Sequence, residues 1–213
     1  MITIQKSRNS LGALCAAALM LAGAAHAAEP ATYWSERKGS KVTVAGDSSI
    51  HAWTVEADLI GGKMQLDASS VIDGKTADVK VTPTVKVTIP LRNLKSGKEG
   101  MDNVMMQAMK STDPKNKFII YELTKMTPRA GKPLEYDTFG QLTICGVKKT
   151  VAMPVKLQPL EGGKKVKVTG SIGLKMTDFK ITPPKPKIAL GLLTVDDDIK
   201  VSFEWMTARS EKK

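Results

Sequence analysis

An antiparallel all-β fold with a single short helix is the architecture this sequence predicts, and three observations carry the prediction. Apolar residues recur at every second position through most of the chain, the spacing of a half-buried strand. Eight or so such runs follow at short intervals, divided by Gly, Pro, Asp and Ser turns, with no helix alternating between them. Only Glu99 to Lys110 has helical periodicity: at 100° per residue, Val104, Met105, Ala108 and Met109 share an arc of roughly 140°.

Residues 1–27 are set apart from the fold. Lys6 and Arg8 precede an apolar run from Leu11 to Ala25, and Ala25-His26-Ala27 supplies a small-residue cleavage site, so the segment reads as a secretory signal peptide. The run is short and Ala-rich for a retained membrane span. The remainder, 28–213, has about 186 residues, enough for one domain with a large core. Cleavage deletes two cations and no acid, taking the formal charge from +11 to +9. Cys145 is then the one cysteine left, so no internal disulfide forms even in an oxidising compartment. Between Ile144 and Gly146 it reads as a small buried hydrophobe.

A leader with Tyr33 and Trp34 precedes a first strand, Lys41 to Val44, and a turn at Gly46-Asp47-Ser48-Ser49. Trp53, Val55, Ala57 and Leu59 make the second strand, which Gly61-Gly62 bends or ends, and the two are expected to pair. Val79, Val81, Val85, Val87, Ile89 and Leu91 alternate with polar residues in the clearest strand signal of the chain. Pro83 and Pro90 there imply a bulge, a split or an edge. In the helical stretch, Ser96 and Glu99 have the form of a capping box, and Asp113-Pro114 is the stop. Phe118 to Leu123 returns to strand. Phe139 to Ile144 and Val147 to Leu157 form a hairpin around Cys145-Gly146. Val166 to Leu174 alternates again, Met176 to Pro186 is irregular, and Ile199, Val201, Phe203 and Trp205 define the last strand. Periodicity leaves sandwich and barrel both open.

Four segments in order carry a family resemblance: Ser49-Ile50-His51-Ala52-Trp53; Leu94-Lys95-Ser96-Gly97 leading to Met101-Asp102-Asn103 and Pro114; Gly140-Gln141-Leu142-Thr143-Ile144-Cys145-Gly146-Val147; and Met176-Thr177-Asp178-Phe179 before the closing strand. Together they resemble the YceI family of lipocalin-like periplasmic polyisoprenoid-binding proteins. Methionines stand where commoner members have an Arg-Asp pair and aromatic residues, which marks a divergent branch. The resemblance implies an antiparallel eight-stranded lipocalin-like barrel with the short helix capping one end, holding an isoprenoid or other amphiphilic lipid in its interior. Such a barrel can be filled by side chains or hold one slender ligand. Ten aromatic residues against nine methionines after residue 27 make that interior aliphatic and adaptable. The expected inner wall is Val85, Val87, Ile89, Leu142, Ile144, Met153, Ile172 and Phe203, with Met105 and Met109 in the cap.

Catalysis finds little support. Gly46-Asp47-Ser48 offers a serine, but His51 is the one histidine after residue 27 and no later Asp-x-x-His completes a triad. His51 is either a structural residue or a head-group contact at the barrel mouth. One Cys and one His do not make a zinc site, and Asp196-Asp197-Asp198 lacks calcium-loop spacing and reads as an exposed turn. No cofactor is expected. Lys148-Lys149, Lys164-Lys165-Lys167 and Lys180-Lys185-Lys187 are either a solvated surface or a field for an anionic envelope surface. Nucleic acid is not an expected partner, because no recognition motif accompanies the charge. The sequence therefore supports a periplasmic lipid carrier. The second reading is an envelope stress or interaction module with a solid barrel and a basic partner-binding surface.

Overall fold

The alternating runs do become strands, but several are interrupted, and the interruptions explain how the sheet closes. The computed structural model describes residues 30–67, 82–186 and 193–210. The expected signal peptide, Val79 and Val81 of the long alternating run, and Lys187 lie outside the described residues. In chain order the elements are β1 (Pro30–Ser35), β2 (Lys41–Ser48), β3 (Trp53–Ala57), β4 (Gly61–Asp67), β5 (Thr84–Pro90), α1 (Glu99–Ala108), β6 (Phe118–Pro128), β7 (Glu135–Ile144), β8 (Val147–Leu160), β9 (Lys165–Lys175) and β10 (Val195–Arg209). Short 3-10 turns occupy Leu91–Asn93, Pro114–Asn116, Glu161–Gly163 and Met176–Phe179.

All pairings are antiparallel, in the order β1-β4-β5-β6-β7-β8-β9-β10, and β10 returns to β1 from Tyr33↔Arg209 to Ser35↔Thr207. The rest of the same β10 edge, Val195 to Glu204, is taken by β2, which pairs with β3. β1 and β2 are thus two halves of one strand broken at residues 36–40, and β3 and β4 are halves of a second broken at residues 58–60. Ten segments make a closed eight-stranded barrel, and sandwich packing is excluded.

Closure depends on a strand that the sequence hid: the supposed leader with Tyr33 and Trp34 is β1. Tyr33 is fully buried, and its hydroxyl donates to the Gly163 carbonyl at 2.8 Å. Other expectations need correction. Leu59 does not continue the inward face of Trp53, Val55 and Ala57. The break after Ala57 turns it outward, 38% exposed, and buries Ile60 instead. Leu91 leaves the strand for a 3-10 turn because Pro90 supplies no ladder donor. Asp196, Asp197 and Asp198 lie within β10, not in a turn. Asp197 accepts from the Thr177 amide and hydroxyl at 2.8 and 2.6 Å, and Asp198 pairs with Lys175 at 2.8 Å. A bulge between Leu123 and Lys125 shifts the inward face of β6 from odd to even positions, so Met126 follows Leu123 inside.

The hairpin at Cys145-Gly146 forms as expected, with Ile144 opposite Val147 and both turn residues at positive φ, 49° and 71°. That is the type I′ geometry of a two-residue hairpin. α1 begins as expected, but no capping box forms. Lys98 is the N-cap, which places Ser96 too far upstream to cap the helix. The Ser96 amide and hydroxyl instead both donate to Asp102 Oδ1 at 2.7 Å. The helix also stops before Asp113-Pro114: Lys110 turns left-handed (φ 49°), and the Lys110 and Ser111 amides close back on the Gln107 and Met106 carbonyls at 3.0 Å. This is a Schellman closure with lysine where glycine is usual.

Candidate functional site

Strand alternation places one face of every strand inside the barrel, and these faces do not meet at the centre. They enclose a cavity of about 570 Å³. Val42 and Val44 of β2, Trp53 and Val55 of β3, and Met64 and Leu66 of β4 line one side. Val151, Met153 and Val155 of β8 line the other, and Ile199, Val201, Phe203 and Trp205 of β10, which pairs with β2, continue the first. All ten residues singled out from the sequence also line it: Val85, Val87, Ile89, Met105, Met109, Leu142, Ile144, Met153, Ile172 and Phe203. Of the filled and hollow barrels left open above, this is the hollow one.

The two ends are closed differently. Beyond Trp205, the end carrying the β8–β9 turn is sealed by Tyr33, Val166 and Thr207, none of which is exposed. Thr207 donates its hydroxyl to the Val166 carbonyl at 2.9 Å, and among the described residues no buried side-chain nitrogen or oxygen lacks a partner. The other end is roofed by α1, whose Met101, Val104, Met105, Ala108 and Met109 face the lumen. α1 lies where β3 and β5 do not pair. Lys95 bridges to Glu56 of β3 through two backbone hydrogen bonds of 2.8 Å, and Leu91 and Leu94 pack with Val55 and Ala57 beneath the methionines.

Polar tethers hold the roof. Asp102 is 8% exposed. Burial raises its pKa, but the Ser96 amide and hydroxyl and the nearby Lys95 ammonium outweigh it, so the carboxyl stays below its ordinary value. At the other end of α1 the Met109 carbonyl accepts from Asn116 Nδ2 at 3.3 Å and from Cys145 Sγ at 3.2 Å. Burial pushes the Cys145 thiol up, against a smaller opposing effect of Lys110, so it is a poor nucleophile held as a tether.

Polar side chains are few in the wall and gather at two places. Midway, Tyr121 donates to Thr138 at 3.4 Å, and Thr138 donates to the Met153 carbonyl at 2.8 Å. At the helix-bearing end the lumen is bordered by the β2–β3 loop, the start of α1 and the described residues on either side of 187–192. Its lining there includes Ser48, His51, Lys98, Gly100, Pro184, Pro186 and Leu193. Ser48 Oγ donates to the His51 carbonyl at 2.7 Å, which occupies the hydroxyl in loop geometry. His51 Nδ1 lies 2.9 Å from the Ala52 carbonyl and must donate to it. The Ser49 amide ties this loop to the Thr194 carbonyl at 2.9 Å.

The sequence left His51 as either a structural residue or a head-group contact, and it missed Lys98, Tyr121, Thr138 and Met64, which also line the lumen. Lys98 shows no periodicity, and the other three required the register of β4, β6 and β7. Among the expected basic clusters, Lys165 pairs with Glu161 and Glu36 (3.0 and 3.5 Å) and Lys167 with Glu204 (2.7 Å), so these are locally neutralised. Lys148, Lys149, Lys180 and Lys185 are exposed on the helix-bearing end.

Closed antiparallel strands around an apolar lumen, sealed below and roofed by a short helix, define a hollow lipocalin-like barrel. A family model described as a YceI-like domain matches residues 34–206, and the chain belongs to that family. BcnA of Burkholderia cenocepacia is similar in fold at 16% identity, covering 78% of this chain and 95% of BcnA with a TM-score of 0.62. A polyisoprenoid binding domain from Saccharophagus degradans, implicated in plant cell wall breakdown, is similar at 13% identity over 84% and 98% of the two chains, TM-score 0.63. A Campylobacter jejuni YceI protein shares 21% identity over 72% and 82%, TM-score 0.52. No curated protein matches this chain.

Proposed function

We propose that this protein is a periplasmic carrier that sequesters an isoprenoid or similar amphiphilic chain and performs no covalent chemistry. The observation that carries the reading is the lumen: about 570 Å³, walled by aliphatic and methionine side chains, with His51 and Lys98 in its lining at the helix-bearing end. Pockets of this size bury a slender ligand almost completely, and a few polar groups at one end orient it. The chain would lie along the barrel axis with its head group at the helix-bearing end, where Lys98 and His51 suit an oxygen-rich or anionic group. The description of the Saccharophagus neighbour as polyisoprenoid-binding supports the same ligand class. Family membership and the signal peptide expected in residues 1–27 support the periplasmic location. Lys148, Lys149, Lys180 and Lys185 surround the same end of the barrel and suit its approach to an anionic envelope surface.

Native mass spectrometry of protein purified from its own envelope, followed by organic extraction, tests the proposal. The expected result is a mass above that of the polypeptide and an extractable lipid. A bare mass, with no uptake of added polyprenols, would sink it.

A further inference from the structure

Three of the aromatic rings in the lumen wall lie across glycines on the neighbouring strand. Direct antiparallel partners point to the same side of a sheet, so Gly46 opposite Trp53 and Gly170 opposite Phe203 both face inward. Gly140 faces inward opposite Leu123, diagonal to Tyr121. A β-carbon on Gly140 would stand 2.5 Å from Tyr121 Cζ and 2.6 Å from its hydroxyl. On Gly46 it would stand 2.6 Å from Trp53 Cε2, and on Gly170 2.7 Å from Phe203 Cζ. No side chain fits under these rings. Each ring is flat on the wall because the residue beneath it has no side chain.

We infer that Gly46, Gly140 and Gly170 determine the capacity of the lumen, by letting Trp53, Tyr121 and Phe203 lie against the wall instead of projecting into the cavity. Glycine weakens a strand interior, and aromatic cover of such a glycine restores part of the loss. Here the same pairing has a second effect. A ring lifted from the wall can move only toward the lumen, because the sheet backbone blocks the other side. Close-packed interiors leave no slack to absorb that volume elsewhere. The inference rests on the carrier reading for its functional meaning, though not for its geometry.

Gly140 is a clean test, because the three atoms nearest its hypothetical β-carbon all belong to Tyr121, whereas that of Gly170 also meets the Pro154 carbonyl at 2.9 Å. Wild type, Gly140→Ala and the double variant Gly140→Ala with Tyr121→Ala are compared on two probes. The first is xenon, which enters dry apolar cavities, followed by its NMR shift. The second is a ladder of linear polyprenols of increasing length, scored by native mass spectrometry. Gly140→Ala should bind xenon several-fold more weakly and lose the longest polyprenols, with the limit shortened by about one isoprene unit, the bulk of one displaced ring. The double variant should recover wild-type capacity or exceed it. If Gly140→Ala fails to fold, the double variant should fold and bind; a double variant no better folded and no more capacious overturns the inference. Undiminished xenon and polyprenol binding by Gly140→Ala overturns it as well. Wild type that takes xenon but no polyprenol, with xenon lost in Gly140→Ala, refutes the carrier reading and leaves the inference standing.

Discussion

The two ends of this barrel are closed by opposite means. At the sealed end the closure is part of the sheet: Tyr33, Val166 and Thr207 sit on strands β1, β9 and β10, are wholly buried, and satisfy their polar atoms on neighbouring backbone. At the other end the closure is an added helix of ten residues, seated on partly buried methionines and held by side-chain tethers at Asp102, Asn116 and Cys145. A strand end cannot open without breaking the ladder, whereas a tethered helix can lift with the ladder intact. The contrast teaches that stability and access are separable here, with the sealed end determining whether the barrel exists and the roof determining what enters it. Local opening free energies differ in this way wherever an element has few buried contacts.

The largest effect should come from the sealed end. Tyr33→Ala removes a fully buried ring and leaves the Gly163 carbonyl without its donor, so it should cost about 3–5 kcal/mol in urea unfolding. Tyr33→Phe, which keeps the ring, should cost about 1 kcal/mol. Replacing Met105 and Met109 together with aspartate should abolish polyprenol uptake in native mass spectrometry while the strand signal in circular dichroism persists, since both line the lumen from the roof. A cost in global stability as large as that of Tyr33→Ala would show that roof and floor are one cooperative unit and break the comparison.

The same division marks what was legible in the sequence. Walls were legible, because strand alternation is local: Val85, Val87 and Ile89, or Leu142 and Ile144, announce an inward face without any partner, and 100° steps did the same for Met105 and Met109. Closure was not. β1 is six residues, Pro30–Ser35, whose role follows from pairing with β10 more than 170 positions away, as in Ser35↔Thr207. The break that turns Leu59 out and Ile60 in, and the bulge beyond Leu123, change parity where nothing in the local pattern shows it. Roof tethers were misread for a similar reason. Ser96 with Glu99 satisfied the capping-box spacing, but the chain uses Asp102, a partner that depends on where the helix begins. The glycines under Tyr121 and Phe203 were invisible as pairs, since each ring and its glycine belong to different strands.

Asp102 allows the roof to be loosened alone. Its folded pKa lies below the ordinary 3.8, so its contribution is full at neutral pH, declines as the pH falls toward 3.8, and is gone below the still lower folded value. Protection factors of α1 amides, with the intrinsic pH dependence of exchange divided out, should therefore fall on acidification in wild type and change much less in Asp102→Asn. The local readout matters because Glu56, Glu122 and Asp197, on the strands, are depressed by their own partners Lys41, Lys86 and Thr177 and add to global acid sensitivity. At neutral pH, Asp102→Ala should weaken the roof by about 1–2 kcal/mol.

Cys145 then reports the roof directly, with the smallest perturbation. Its thiol donates to the Met109 carbonyl at 3.2 Å and burial keeps it protonated, so iodoacetamide should alkylate it slowly while α1 is seated. Lifting the C-terminal turn of α1 uncovers the sulfur and removes the desolvation that suppresses the thiolate, so the rate follows the population of the open roof. An opening made easier by about 1.4 kcal/mol should quicken alkylation about tenfold. Asp102→Ala should produce a change of that order, and Tyr33→Phe almost none, because its cost falls on the floor. Equal acceleration by both would mean that Cys145 is reached by global unfolding and that the helix does not open on its own.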